Sequence, residues 1–209
     1  MIAPLVVILA GGEGQRMGGA KPLRMLGGER LVDRALRMAG AWSDDVRVAV
    51  RDRRQIEGVD VPVLLDDPAI EGPLAGLRSA LAAGREAGRE MVLTIPCDAP
   101  FVPGDLAAAL EAAIGTNGVA LARSAPDLHP TCALWRTETL DLLPDYVASG
   151  RRSLIGFAEL VGYAAVDWDS RRFFNLNRPE DLAEAERRLA SEVEDVDPAS
   201  GPDRGPARR

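Results

Sequence analysis

Arg16 and Lys21 stand among glycines at positions 11, 12, 14, 18 and 19. A Gly-rich backbone turns freely, comes close to a ligand and presents successive N–H groups to an anion. With a guanidinium and an ammonium added, the stretch is a candidate phosphate site, where the Arg16 fork bonds two oxygens and Lys21 supplies a point charge. It lacks the Gly-Lys-Ser/Thr ending of a Walker loop, and its glycines do not keep the G-x-G-x-x-G spacing of a dinucleotide fold. Other polar candidates are Asp66 and Asp67 before Pro68, Asp98 between Pro96 and Pro100, and Asn175 and Asn177 before Pro179. A turn before proline accounts for Asp66 and Asp67 about as well as a ligand does, and an Asx turn does nearly as well for the asparagines.

These groups act together only if secondary structure gathers them. Leu5 to Ala10 is apolar without helical spacing and reads as a strand buried on both faces, feeding the glycine loop. Leu26-Gly27-Gly28 makes a turn, after which Leu31, Ala35, Leu36 and Ala39 predict a helix against that strand. Val46 to Val50 and Val61 to Leu65 read as strands, which puts Asp66 at a carboxyl end. Gly72-Pro73 opens a helix carrying Leu74, Leu77, Ala80 and Leu81. Met91 to Ile95 is the next strand, and Pro96 is expected to stop its ladder and leave Asp98 projecting. Leu106, Leu110 and Ile114 predict a helix. Val119 to Ala122 and Thr131 to Trp135 read as strands separated by Ser124 to Pro130, and Thr137 to Tyr146 as helical. Ser153 caps a short helix through Leu160, Tyr163 to Val166 is a strand, and Leu182, Ala185, Leu189 and Val193 mark a last helix.

Strands alternating with helices predict the α/β class: a three-layer, Rossmann-like fold with a mostly parallel sheet covered on both faces. Ligands of such sheets gather at strand carboxyl ends, from which Gly11, Asp66 and Asp98 all come. Residues 1–194 are expected to form one domain. Residues 195–209, with Pro198, Gly201, Pro202, Gly205 and Pro206 and little to bury, are expected to be a disordered tail.

The 209 residues, 46% of them hydrophobic, suffice for one sizeable core. A net charge of -7 argues against a nucleic-acid partner. One histidine, with Cys97 and Cys132 outside C-x-x-C spacing, argues against a Cys/His zinc site and for two buried, reduced thiols. No apolar run reaches the roughly 18 residues of a membrane span, and no charged n-region opens the chain. A cytoplasmic protein without a membrane partner is expected.

The run from Leu9 to Lys21, LAGGEGQRMGGAK, resembles the signature L-A-G-G-x-G-x-R-M-G-G…K of nucleotidyltransferases, and within them most closely the molybdenum cofactor guanylyltransferases. Gly72-Pro73-Leu74-Ala75-Gly76, Pro96-Cys97-Asp98-Ala99-Pro100, His129-Pro130-Thr131, Gly150-Arg151-Arg152 and Asn175-Leu176-Asn177-Arg178-Pro179 follow in that family's order. The resemblance implies the nucleotidyltransferase fold, magnesium as cofactor, and transfer of GMP from GTP to the terminal phosphate of molybdopterin with release of pyrophosphate. It also implies partners among molybdenum-insertion proteins or molybdoenzyme chaperones.

On that reading Gly12 and Gly14 help clamp the triphosphate, Arg16 holds the β- and γ-phosphates, and Lys21 is the cation beside the α-phosphate. Asp98 is the magnesium ligand, since this hard ion takes one or two carboxylates with phosphate oxygens and water. Asn175 and Asn177 complete the metal or phosphate shell. The backbone of Leu9, Ala10 and Gly11 lies against the base, and Asp66, or its neighbour Asp67, accepts from guanine. CTP-using relatives tend to read L-A-A-G, so the missing methyl at Gly11 favours a purine. His129 and the pair Arg151 and Arg152 are candidates for the acceptor side. Two features depart from the family pattern: Ala20 precedes Lys21 in a loop one residue shorter, and Arg51-Asp52 stands where a guanine-binding asparagine is expected. The rival readings are CTP transfer to the same acceptor, nucleotidyl transfer to a sugar phosphate, and a nucleotide-binding regulator without catalysis.

Overall fold

The computed structural model describes residues 3–12 and 21–194, with side chains through Ser191. The chain runs β1 (Leu5–Leu9), β2 (Met25–Leu26), β3 (Glu29–Arg30), α1 (Leu31–Gly40), β4 (Val46–Val50), β5 (Val63–Leu65), α2 (Pro73–Glu86) and β6 (Met91–Pro96). It continues with α3 (Leu106–Ala113), β7 (Val119–Ser124), β8 (Asp127–Arg136), α4 (Leu143–Ala148), α5 (Leu154–Val161), β9 (Tyr163–Asp167) and α6 (Pro179–Glu194). Seven strands form one sheet in the order β5-β4-β1-β6-β8-β7-β9. Only β8 runs against its neighbours. The expected mostly parallel α/β sheet is present.

Alternate residues of each central strand enter opposite cores, as a two-residue side-chain period requires. Leu5 and Val7 pack with Leu77 and Leu81 of α2 and Phe157 of α5, whereas Val6 and Ile8 pack with Val32 and Ala35 of α1 and Leu106 and Leu110 of α3. Helices therefore cover both faces, giving three layers. A third, small core joins Leu26, Leu31, Leu176 and Ala185, fastening α6 to the β2–β3 hairpin and the start of α1. The hairpin turns at Gly27 and Gly28, whose φ of +59° and +79° only glycine adopts cheaply.

The ladder of β6 does not end where Pro96 was expected to stop it. Cys97 N still donates to Leu9 O at 3.2 Å, because the missing proline N–H faces β8 and not β1; pairing with β8 ends at Thr94. Ser124 to Pro130 is not a loop either. Only Ala125 and cis-Pro126 connect β7 to β8, and the register skips from Ala122 opposite His129 to Leu121 opposite Ala133. Pro130, which cannot donate to a ladder, falls in that irregularity. Thr137–Leu142 is a 3-10 turn, and the α-helix starts at Leu143 with Pro144 in its first turn, where a missing N–H is harmless. The last helix begins at Pro179, and the residues expected to form a tail lie outside those described.

Candidate active site

The carboxyl ends of β1, β4, β5 and β6 open into one cleft of about 520 Å³. Its size suits a small-molecule ligand. Leu9, Ala10, Gly11 and Gly12 line it as β1 ends, with Asp66 after β5 and Asp98 after β6. Lys21 lines it from a 3-10 turn (Lys21–Leu23), and Asn175 and Asn177 from the segment before α6. The described residues assigned from the sequence to the nucleotide and the metal, Asp67 apart, thus border the same space, while Gly14 and Arg16 lie outside the described residues. A larger hollow of about 700 Å³, near the start of β6, has Glu90 and Glu111 and no lysine or arginine among its described lining residues. An anion has no reason to choose it.

On one side of the cleft, Lys21 Nζ lies 2.5 Å from Asp98 Oδ2 and donates to Asn177 Oδ1 at 2.9 Å. Leu176 N donates to the main-chain oxygen of Asp98 at 2.9 Å, so the asparagine segment is held against the end of β6. Asp98 does not cap the following helix, which begins only at Leu106, and Asn177 turns its oxygen to Lys21 and not into an Asx turn. The Asp98 carboxylate and the Asn177 amide oxygen are hard donors converging on one cation. That set fits magnesium, which needs one or two carboxylates besides phosphate and water. Cys97 borders the same space, but burial pushes its thiol pKa far up, leaving it protonated and no competing soft ligand.

On the other side, Asp66 and Asp67 part company. Asp67 accepts from Ala69 N at 2.8 Å and pairs with Arg78 at 2.9 Å, which commits it to the turn and to α2. Asp66 Oδ1 is buried without a hydrogen-bond partner among the described residues. Burial pushes its pKa above the usual 3.8, against the pull of the Arg51 guanidinium. The room for this carboxylate comes from two glycines. A Cβ at Gly11 would sit 2.2 Å from Asp66 Oδ2, and one at Gly76 of α2 would sit 3.3 Å from Oδ1. Gly11 therefore makes room for Asp66 directly, and only through it for a base.

The proposed acceptor residues lie elsewhere. His129 hydrogen-bonds Ser124 Oγ at 2.6 Å and stacks on Phe173 at 4.3 Å, and burial lowers its pKa. Arg151 lies over the Tyr146 ring and Arg152 donates to Val147 O, both beside α4 and outside the cleft. Thr131, two residues after His129, does line it, as does Arg51. Arg51 departs from the family pattern, yet it directly follows β4 as Asp66 directly follows β5, and that position is the signal that could have found it.

Known proteins resemble this chain in sequence and in fold. A molybdenum cofactor guanylyltransferase of Cereibacter sphaeroides is 39% identical over 190 residues, covering 90% of this chain and 97% of that one. The protein of the same description from Rhodobacter capsulatus is 38% identical over 88% of this chain and 95% of its own. Among solved structures, the molybdopterin-guanine dinucleotide biosynthesis protein A of Archaeoglobus fulgidus superposes with a TM-score of 0.73 at 23% identity, covering 89% of this chain and 98% of that one, a likeness of fold. Residues 6–162 match the model of the MobA-like NTP transferase domain. The chain belongs to the MobA-like NTP transferase family and is a nucleotidyltransferase.

Proposed function

We propose that the protein transfers GMP from GTP to the terminal phosphate of molybdopterin. An oxygen of that phosphate bonds to the α-phosphorus of GTP, the bond from that phosphorus to the β-phosphate oxygen breaks, and pyrophosphate leaves with the electron pair. The nucleophile is already an ionised phosphate, so no general base is needed. What remains is positioning and charge stabilisation.

The observation that carries this reading is the division of one cleft between an ammonium–carboxylate pair and an aspartate whose Oδ1 is buried without a hydrogen-bond partner among the described residues. Lys21 is the cation for the α-phosphate and Asp98 the residue that would hold magnesium; when bound, the ion neutralises charge developing on the leaving pyrophosphate. Asp66 Oδ1 accepts from guanine, whose adjacent N1–H and N2–H suit a single carboxylate. Cytosine offers no such pair of donors. The relatives described as molybdenum cofactor guanylyltransferases support the same choice of nucleotide and acceptor.

Competition among GTP, CTP, ATP and UTP at equal concentration, with magnesium and molybdopterin, tests the proposal. Guanine dinucleotide is expected to dominate the product. Predominance of the cytosine product would replace the reading with CTP transfer, and GTP binding without any transfer would make the protein a nucleotide-binding regulator.

A further inference from the structure

We infer that Asp181 is a positioning residue of the active site, acting through Asn177 on Lys21. The inference rests on the functional reading above.

Asp181 stands in the first turn of α6 and does not touch the cleft. Its Oδ2 accepts from both Asn177 N and Arg178 N, each at 2.8 Å, while its own N–H donates to Arg178 O at 3.1 Å. Side chain and main chain of Asp181 thus both bond Arg178; the carboxylate reaching back to the N–H before the helix is one half of a capping box, and the other bond is an ordinary main-chain turn. Pro179 follows, with no N–H to offer and a fixed φ. The backbone of residues 177 and 178 is held to the helix by that carboxylate.

The helix is itself a firm reference. Ala185 and Leu176 enter the small core with Leu26 and Leu31, and Glu186 accepts from Gly27 N at 2.9 Å. Leu176 fixes the segment from one side and Asp181 from the other, and Asn177 between them is aimed into the cleft. Its Oδ1 receives one Lys21 N–H at 2.9 Å, while Asp98 receives another at 2.5 Å. An ammonium has three donors and no geometric preference of its own. Two acceptors on separately anchored elements hold it in one place, whereas with Asp98 alone Lys21 would pivot about that single bond. Loss of Asp181 frees the backbone of Asn177, removes the second acceptor and leaves Lys21 misdirected when the α-phosphate needs it.

The test compares the full chain with Asp181→Ala, Asp181→Asn, Asn177→Ala and the Asp181→Ala/Asn177→Ala double variant. Steady-state transfer from GTP to molybdopterin is measured in each, together with the Asn177 side-chain amide signals in a ¹H–¹⁵N spectrum. Asp181→Ala is expected to lower kcat roughly 10- to 100-fold, the range for groups that orient a functional ligand, with KM for GTP nearly unchanged. Asparagine keeps an acceptor oxygen for the two N–H groups, so Asp181→Asn restores kcat to within about threefold. The double variant falls no further than Asn177→Ala, because both changes break one chain of contacts. The Asn177 amide signals move in Asp181→Ala and hold their place in Asp181→Asn.

Additive losses in the double variant, an unchanged kcat in Asp181→Ala, or unmoved Asn177 signals would each overturn the assignment. If Asp181→Ala does not fold, the Asp181→Asn measurements decide: a kcat as low as that of Asn177→Ala, or displaced Asn177 signals, overturns it. If the unaltered protein transfers nothing, the functional reading falls, and the Asn177 signals alone decide whether Asp181 positions that side chain.

Discussion

Lys21 holds two acceptors at once, Asp98 Oδ2 at 2.5 Å and Asn177 Oδ1 at 2.9 Å. Removing that ammonium takes a preformed charge from the α-phosphate, so Lys21→Ala is expected to lower kcat on the order of 10²–10³ with a smaller change in GTP affinity. Single-turnover kinetics check this, and an unchanged rate would remove Lys21 from the reaction. Asp66 sets binding against stability. A carboxyl whose pKa is raised on folding holds its proton more tightly in the folded chain, a contribution fully present below the unfolded value near 3.8 and lost as pH rises through the folded value. At neutral pH the buried anion is thus a liability. Asp66→Asn should melt higher than the unaltered protein at pH 7, with the gain shrinking as pH falls toward the carboxylate range, and should lose preference for GTP. Gly11→Ala drives a methyl into the same carboxylate, so the ratio of GTP to CTP efficiencies should fall roughly 10- to 200-fold. In an Asp66→Asn background the Gly11 change should add little to the loss of preference; full additivity would mean that Gly11 touches the base itself. Asp66 and Asp98 were legible because each follows an apolar run. The parting of Asp66 from Asp67 was not, since it depends on Arg78 of α2 and on two glycines that become neighbours only on folding.

The elements that supply the cleft were readable wherever one physical preference ruled. Apolar runs gave β1, β4 and β6, and the 3.6-residue spacing gave α1, α2 and α3. Errors fell where proline's effect depends on direction. Pro96 removes a donor toward β8 while the ladder to β1 continues, and Pro130 occupies a register skip inside a strand, details of pairing that a linear pattern does not carry. The cap of α5 was legible, because Ser153 Oγ accepts from Gly156 N at 3.2 Å as a serine before a helix should. Ser153→Ala is expected to cost about 0.5–2 kcal/mol in denaturant unfolding and to leave kcat and KM unchanged. The turn bearing Arg151 and Arg152 lies outside the cleft. A rise in KM for the acceptor at near-normal stability would instead tie that turn to the acceptor's phosphate.

Across the whole molecule, the sheet gathers residues 9 to 12, 66 and 98 at one end, while the hollow of about 700 Å³ near the start of β6 has no lysine or arginine among its described lining residues. Order along the chain and the strand-helix alternation made this polarity legible in the sequence, because parallel strands bring their carboxyl ends to one edge. What stayed hidden was the part of the lining given by Thr131, which the antiparallel β8 brings to the cleft, and by Arg51. No helix among the described residues is long and apolar enough to cross a membrane. The central claim is that both parts of this cleft serve one displacement at the α-phosphorus of GTP. GTP labelled with ³²P either at the α or at the γ position, incubated with the protein, magnesium and molybdopterin, tests it most directly. The α label should appear in the molybdopterin product and the γ label in pyrophosphate, in equal amounts. Release of the γ label as inorganic phosphate, or no α label on molybdopterin, would contradict it.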